Sequence, residues 1–441
     1  SAVKHVVQDQ QAEQVFSAAQ DLLLRHPPRF VEGWSLDKGA SDPLERLIEA
    51  TTRMDKAVLP VQGPPGTGKT HVSARTILSL AQQGHRMAIA SNSHAAIINV
   101  LVGCVEALET DNDYSKLRGK VTIAHKIGRD KEAAKRSDVI RYVKTNADRA
   151  LFNANIVGGT AWLFCRDEFR HQFDYLFVDE AGQVSLANLM GMATCARNVV
   201  LVGDPCQLPQ VIQGTHPSPA DRSCLEWILR DERIISDDLG VFLSKTYRMH
   251  PKLCAFISEQ FYEGKLHAHS STSEQAIFVS GLPPAGAFRV SVPHEGRSQE
   301  CPEEIGAIRA FIDQLLRGTW QDKNGHQRPM QPEDIIVVAP VNAQVNSLQS
   351  ALGDIKVGTV DKFQGQEAPV ALLSMTSSSA EEAPRGLDFL FSRERINVAM
   401  SRGRAMSVAF VSPQLLHAQC GTVGEVRMVN PLCALEPLAL S

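Results

Sequence analysis

A chain of 441 residues is too long for one ordinary hydrophobic core, and its 43 % apolar and 21 % charged residues are the composition of a soluble globular protein. The net charge of −4 excludes a protein that coats nucleic acid through bulk positive charge, while leaving room for a narrow basic track. Nine scattered cysteines without a C-x-x-C pair point to reduced thiols in an intracellular, cytoplasmic protein and away from a disulfide framework or a zinc site. No apolar run reaches the ~18 residues a membrane helix needs, and no signal peptide is visible, so no membrane partner is expected. The chain opens at Ser1 rather than methionine, which leaves room for a domain upstream.

Residues 9–25 read as a polar helix, followed by a loop with Pro27, Pro28 and Gly33; together 1–40 form a helical lead-in. Pro43 opens a helix that runs to Arg53. From 58 onward, short apolar runs at 58–62, 86–90, 155–157, 175–178 and 199–202 alternate with helical stretches. That alternation predicts a parallel sheet covered by helices on both faces. Between about 105 and 150 the chain turns charged, with Lys131, Glu132, Lys135 and Arg136 in one short run, and this stretch reads as a small helical insertion. A Gly/Pro/His/Ser loop at 213–219 interrupts the pattern, and a helix at 223–230 still belongs to the first lobe, 41–235. A second α/β lobe, 236–441, has strand candidates at 241–243, 288–292, 335–339, 357–360, 370–375 and 407–411.

Gly63, Pro64, Pro65, Gly66, Thr67, Gly68, Lys69 and Thr70 follow the first apolar run and precede a helix-compatible stretch, the strand–loop–helix context of a phosphate-binding loop. Glycines let backbone N–H groups curl around a phosphate, and the following helix points its partly positive end at the anion. Lys69 supplies a mobile charge for the β- and γ-phosphates of ATP, and the Thr70 hydroxyl suits Mg²⁺. The run 175–178 delivers two carboxylates at its end: Asp179 to hold the metal and Glu180 to orient or deprotonate the attacking water. Gln207 follows the strand at 199–202 and is placed to sense the γ-phosphate. Tyr247 sits beside Arg248, an aromatic for stacking next to a guanidinium for a phosphate. Arg402, with Arg404 close behind, supplies a late arginine of the finger type.

These segments, 63–70, 178–183, 203–208, 247–251, 358–367 and 397–404, resemble motifs I, II, III, IIIa/IV, V and VI of superfamily 1 helicases, in the right order. The strings Tyr247-Arg248-Met249-His250-Pro251 and Phe363-Gln364-Gly365-Gln366-Glu367 are similar to the up-frameshift/senataxin branch, superfamily 1B. Residues 158–163, 188–190 and 360–369 further resemble the helicase half of bacterial proteins that fuse a RecB-like nuclease to such a motor. The resemblance implies two tandem RecA-like P-loop NTPase domains and an ATP-dependent helicase or translocase, with ATP and Mg²⁺ as cofactors. It implies 5′→3′ movement on single-stranded DNA in preference to RNA, and a nuclease domain upstream. Carried over residue by residue, Glu367 meets the ribose, while Ser91, Asn92, Thr160, Thr359, Val360 and Gly365 touch the nucleic-acid strand. The alternatives are an RNA helicase, or a nucleotide-dependent clamp that does not unwind. Two departures stand out: no glutamine occurs in 42–52 to read an adenine edge, and Val341 stands where relatives often carry an aromatic.

Overall fold

The computed structural model describes residues 17–128, 137–210, 222–230 and 232–439. Contacts divide the chain into two units. The first comprises 1–64, 68–205 and 209–243; the second comprises Ser244–Ser441 with two short stretches, Pro65–Thr67 and Cys206–Leu208.

In the first unit the expected apolar runs are strands: β1 (Val58–Gln62), β2 (Met87–Ala90), β5 (Ile156–Gly159), β6 (Phe173–Asp179) and β7 (Ala196–Gly203). With β3 (Ile123–Lys126), β4 (Ile140–Val143) and β8 (Val241–Phe242) they form one sheet in the order β4-β3-β5-β2-β6-β7-β1-β8. Every pairing in it is parallel. Alternate residues feed different cores. Ala88, Leu176, Val178 and Leu201 enter one apolar cluster, and Met87, Tyr175, Phe177 and Val200 enter the other. A strand buried on both faces must be apolar throughout, which is why these runs lack the in/out alternation of a half-exposed strand. The helix Pro43–Arg53 has the bounds its sequence announces, with Asp42 accepting the Leu44 and Glu45 N–H groups as its cap.

Two expectations are corrected. The stretch 105–150 is not a helical insertion: within its described residues, β3 and β4 extend the main sheet by parallel pairing onto β5. The charged run 131–136 lies outside the described residues, and so does the loop at 213–219. Strands of four residues give a weak period-2 signal, and the apolar side chains that make them strands, Ile123 and Ile140, are separated by charged sequence. The segment 241–243 does not open the second sheet: β8 pairs with β1, so the first unit runs through Leu243.

The second unit has its own parallel sheet, built from β12 (Gly286–Ser291), β15 (Ile335–Val338), β16 (Lys356–Gly358), β17 (Ala368–Ser374), β18 (Gly403–Val411) and β19 (Glu436–Pro437). Its order is β16-β15-β17-β18-β12-β19. Beside it lie a short parallel pair, β9 (Lys245–Thr246) with β10 (His267–Ala268), and an antiparallel sheet of β11 (Ala276–Phe278), β13 (Thr319–Gln321) and β14 (Gln327–Pro329). A buried polar chain ties the C-terminal edge of the main sheet together. Ser378 Oγ lies 2.8 Å from His294 Nδ1, and His294 Nε2 lies 3.2 Å from Glu304 Oε1. Glu304 Oε2 accepts from the Ser374 hydroxyl and from the Thr376 N–H. Cys301 Sγ comes within 4.8 Å of the His294 and Glu304 ligand atoms. Hydrogen bonds engage both His294 nitrogens and both Glu304 oxygens, and burial pushes the Cys301 thiol up to about 12, so the cluster reads as a satisfied polar network.

Candidate nucleotide and nucleic-acid sites

Parallel pairing brings the strand ends of the first unit to one edge of its sheet. The residues that follow there are Gly63 after β1, Ser91 after β2, Thr160 after β5, Glu180 after β6 and Asp204 after β7. In open α/β sheets this carboxyl edge is where ligands bind. Gly68, at φ 77°, starts the helix Lys69–Gln82 with no side-chain cap, so the first N–H groups of that helix have no side chain of a capping residue to bond. Lys69 Nζ donates to the Gly63 carbonyl at 2.7 Å, folding the ammonium back along the loop.

Asp179 is 8 % exposed. Burial, and then the neighbouring Glu180 carboxylate, push its carboxyl up to about 7, against the opposing pull of Lys69. Glu180 has a left-handed backbone at φ 53°, an uncommon conformation for a residue with a side chain and one that recurs at functional turns. A buried carboxylate beside a second one calls for a compensating cation, and the oxygen donors Asp179 and Thr70 suit a hard divalent ion. The sequence missed Gln62. It is 1 % exposed; its amide donates to the Arg233 carbonyl at 2.9 Å and reaches Asp204 Oδ1 at 3.5 Å, and its oxygen accepts the Ile235 N–H. Those partners are 142 to 173 positions away, so nothing local in the sequence signals them.

For the expected strand-contacting residues, Ser91 is 4 % exposed, and the Asn92 side-chain amide donates to the Gln183 carbonyl. Thr160 precedes the short helix Ala161–Phe164 without making a cap bond. An apolar cleft of about 820 Å³ lies elsewhere, lined by Val105, Leu108, Arg118, Ile123, Val139 and Arg141 among others, and none of the expected site residues lines it.

In the second unit, Thr246 Oγ1 donates to the Pro65 carbonyl and the Tyr247 N–H donates to the Gly66 carbonyl, at 2.9 and 2.8 Å. Gly66 has φ 75°, and a Cβ there would lie 2.4 Å from Arg248 Cβ, so this position needs glycine on both counts. Tyr247 is 51 % exposed and packs against His269 in a tilted arrangement, ring centroids 4.6 Å apart and planes at 31°. Arg248 Nε donates to Glu367 Oε2, and its Nη1 donates to the Ser401 carbonyl at 3.1 Å. Arg404 takes the other Glu367 oxygen, with Nε at 2.9 Å and Nη2 at 2.7 Å. Burial alone would raise the Glu367 carboxyl; Arg248 and then Arg404 outweigh it and hold the group below the usual carboxylate range. Gln207 is 7 % exposed.

Arg402 faces inward. It is 1 % exposed, with Nε donating to the Val398 carbonyl and Nη1 to those of Phe363 and Gln366. It cross-links the end of the helix Arg393–Met400 to the turn after Thr359, whereas a finger needs a cation held out at a surface. Arg404, its side chain 39 % exposed, is the arginine of this segment that the sequence reading named without a role. Val360 is 3 % exposed, which leaves only its backbone for a nucleic-acid strand, while Thr359 starts the turn without a cap bond and Gly365 lies at φ 78°.

The geometry defines a class: a P-loop protein with two parallel-sheet α/β units. Two family models, each described as an AAA domain, match residues 109–214 and 220–412. The chain is 24 % identical over 408 residues to the DNA replication ATP-dependent helicase/nuclease DNA2 of Gallus gallus, covering 86 % of this chain and 38 % of the relative. It is 26 % identical over 412 residues to the regulator of nonsense transcripts 1 homolog of Arabidopsis thaliana, covering 83 % and 32 %. It is 24 % identical over 431 residues to the helicase/nuclease JHS1 of the same plant, covering 88 % and 30 %. The chain thus spans about a third of the length of these curated relatives. These matches support a helicase of superfamily 1B. No described helix is long and apolar enough to cross a membrane.

Proposed function

We propose that the chain is the motor part of a longer protein, moving 5′→3′ along single-stranded DNA and separating duplex ahead of it. The observation that carries the DNA reading is the similarity over 86 % of the chain to a protein named as a DNA replication helicase/nuclease. The motor reading also fits the edge geometry of the first unit, with Asp179 at the end of β6, and Glu180 just after it, beside the strand that leads toward Ser91 and Asn92. A nucleotide-driven change at β6 is then one strand away from a contact on nucleic acid.

In this reading Gly63, Pro64, Pro65, Gly66, Thr67 and Gly68 wrap the phosphates, and Lys69 leaves the Gly63 carbonyl to neutralise them. Glu180 takes the proton of the attacking water. Magnesium, when bound, supplies charge neutralisation at the β- and γ-phosphates; Thr70 and Asp179 are its donors on this chain. Gln207 orients the γ-phosphate end, Tyr247 stacks on the base, and Arg248 turns from Glu367 toward phosphate charge as it develops.

The test is ATP hydrolysis with each of the four nucleoside triphosphates, alone, with oligodeoxynucleotide and with oligoribonucleotide, followed by unwinding of 5′-tailed and 3′-tailed duplexes. Stimulation by DNA together with unwinding of only the 5′-tailed duplex is the expected result. Stimulation by RNA alone would favour the second reading, an RNA helicase, which rests on the 26 % identity to a regulator of nonsense transcripts. Absence of stimulation by either would leave a nucleotide-dependent clamp.

A further inference from the structure

Trp162 is 83 % exposed. Of the four tryptophans it alone is so: Trp320 is 3 % exposed, and Trp34 and Trp227 are half-buried. Exposing an indole to water forfeits one of the largest apolar burials a side chain offers. Local packing shows why it stands out. In the helix Ala161–Phe164, Leu163 and Phe164 point into the core, at 2 % and 0 % exposed, which turns the residue before them outward. Leu163 seats itself over Gly159, where a Cβ would lie 2.4 Å from Leu163 Cδ2. The glycine before Thr160 therefore lets the turn sit close on the sheet and fixes the orientation in which Trp162 is presented.

The position on the sheet gives the ring its surroundings. β5 ends at Gly159 opposite Ala90 of β2, so Thr160 and Trp162 follow on the same edge as Ser91 and Asn92. Next along that edge is the start of the 17-residue helix His94–Thr110, capped by the Ser93 hydroxyl. Short polar groups and a helix N-terminus suit a phosphate backbone, and a flat apolar ring beside them suits what projects from that backbone.

We propose that Trp162 is a stacking platform for one base of the single strand, next to the phosphate contacts of Ser91, Asn92 and Thr160; this rests on the nucleic-acid reading above. Stacking is indifferent to sequence, because every base has a π-face, so the contact adds grip without specificity. It gives a translocating motor a ratchet point on the bases that the phosphate contacts lack.

The test titrates the chain with oligodeoxythymidylate and with an abasic strand of the same length, reading tryptophan fluorescence and anisotropy of a labelled strand. The wild type is expected to show fluorescence quenching with the thymidylate strand and about tenfold tighter binding to it than to the abasic one. Trp162→Ala should lose the quenching and bind the thymidylate strand about tenfold more weakly, with no further loss on the abasic strand. Trp162→Phe should recover most of the affinity, and the melting temperature of both variants should match the wild type, since the side chain is mostly exposed. Equal binding of the thymidylate strand by Trp162→Ala and the wild type overturns the platform while leaving the helicase reading intact. So does an equal loss by Trp162→Ala on both strands. Failure of the wild type to bind either strand, or an RNA strand, overturns both readings; a shift in sedimentation between wild type and Trp162→Ala would then assign the ring to contact with another protein molecule.

Discussion

The two sheets deliver their chemistry in different ways. In the first unit the working groups sit where a strand ends and the chain turns: Lys69 after β1, Asp179 and Glu180 at β6. Backbone geometry alone puts them at the carboxyl edge. In the second unit three charged side chains from distant motifs, Arg248, Glu367 and Arg404, form one cluster, while Arg402, two residues from Arg404, is turned inside. A site made by strand ends follows from the order of residues; a site made by side-chain packing depends on which way each residue faces.

The largest expected effect lies in the first kind of site. Glu180→Gln should lower turnover about 1,000-fold by removing the proton acceptor, and nucleotide binding, read by a fluorescent analogue, should survive. Turnover within tenfold of the wild type would mean that the edge of the first sheet is not where the water is activated.

His125 tests the packing behind that edge. It is fully buried on β3, with Nε2 3.2 Å from His94 Nδ1. Burial, then His94 and Lys126, push its pKa down to about 4. A histidine with a depressed folded pKa is held neutral by the fold, so the unfolded chain takes up the proton first as pH falls. Its contribution is therefore present above about 6.5 and lost as pH falls toward 4, on the order of 3 kcal/mol. Urea midpoints measured across that window should fall in the wild type and flatten in His125→Gln. An unchanged slope in the variant would place the titration elsewhere.

How much of this was legible follows the same division. The phosphate loop, the acidic pair and the helix Pro43–Arg53 were readable because each is local: a run of neighbours, a cap, a proline at the first turn. Strands β3 and β4 were hidden because four residues inside charged sequence carry too little periodicity. β8 was assigned to the wrong sheet because its pairing with β1 spans some 180 positions. The segment 397–404 announced its arginines but not their directions. Arg402 and Arg404 flank a helix-to-strand corner, one buried and one partly exposed, and no spacing rule encodes which of them meets the core.

The arginine pair turns that point into an experiment. Arg402→Ala removes three hydrogen bonds, to the carbonyls of Val398, Phe363 and Gln366, and should cost about 2–3 kcal/mol of stability. Arg404→Ala removes a partly exposed ion pair, and should cost under ~1 kcal/mol while lowering turnover. Chemical denaturation and steady-state rates on both variants separate the roles. If Arg402→Ala keeps its stability and loses only turnover, the buried arginine is the finger after all.

The smallest effect discriminates most finely. Glu367 has both oxygens occupied, one by Arg248 and one by Arg404, and their positive charge holds its carboxyl below the ordinary range. An acid depressed in the fold stabilises above its unfolded pKa and loses that contribution as pH falls through the folded value, so Glu367→Gln should cost stability near neutrality and flatten the acid limb. With the side chain about a third exposed, solvent screening limits the loss to about 1 kcal/mol. The role that the helicase resemblance implies for this residue, holding a ribose hydroxyl, makes the opposite demand on the same oxygens. If the carboxylate is chiefly a counter-ion for two arginines, Glu367→Gln should bind ATP no more weakly than the wild type, because the freed guanidiniums are then available to phosphate. A clear loss of affinity for ATP, with less loss for inorganic triphosphate, would show instead that the acid leaves the arginines to meet the sugar.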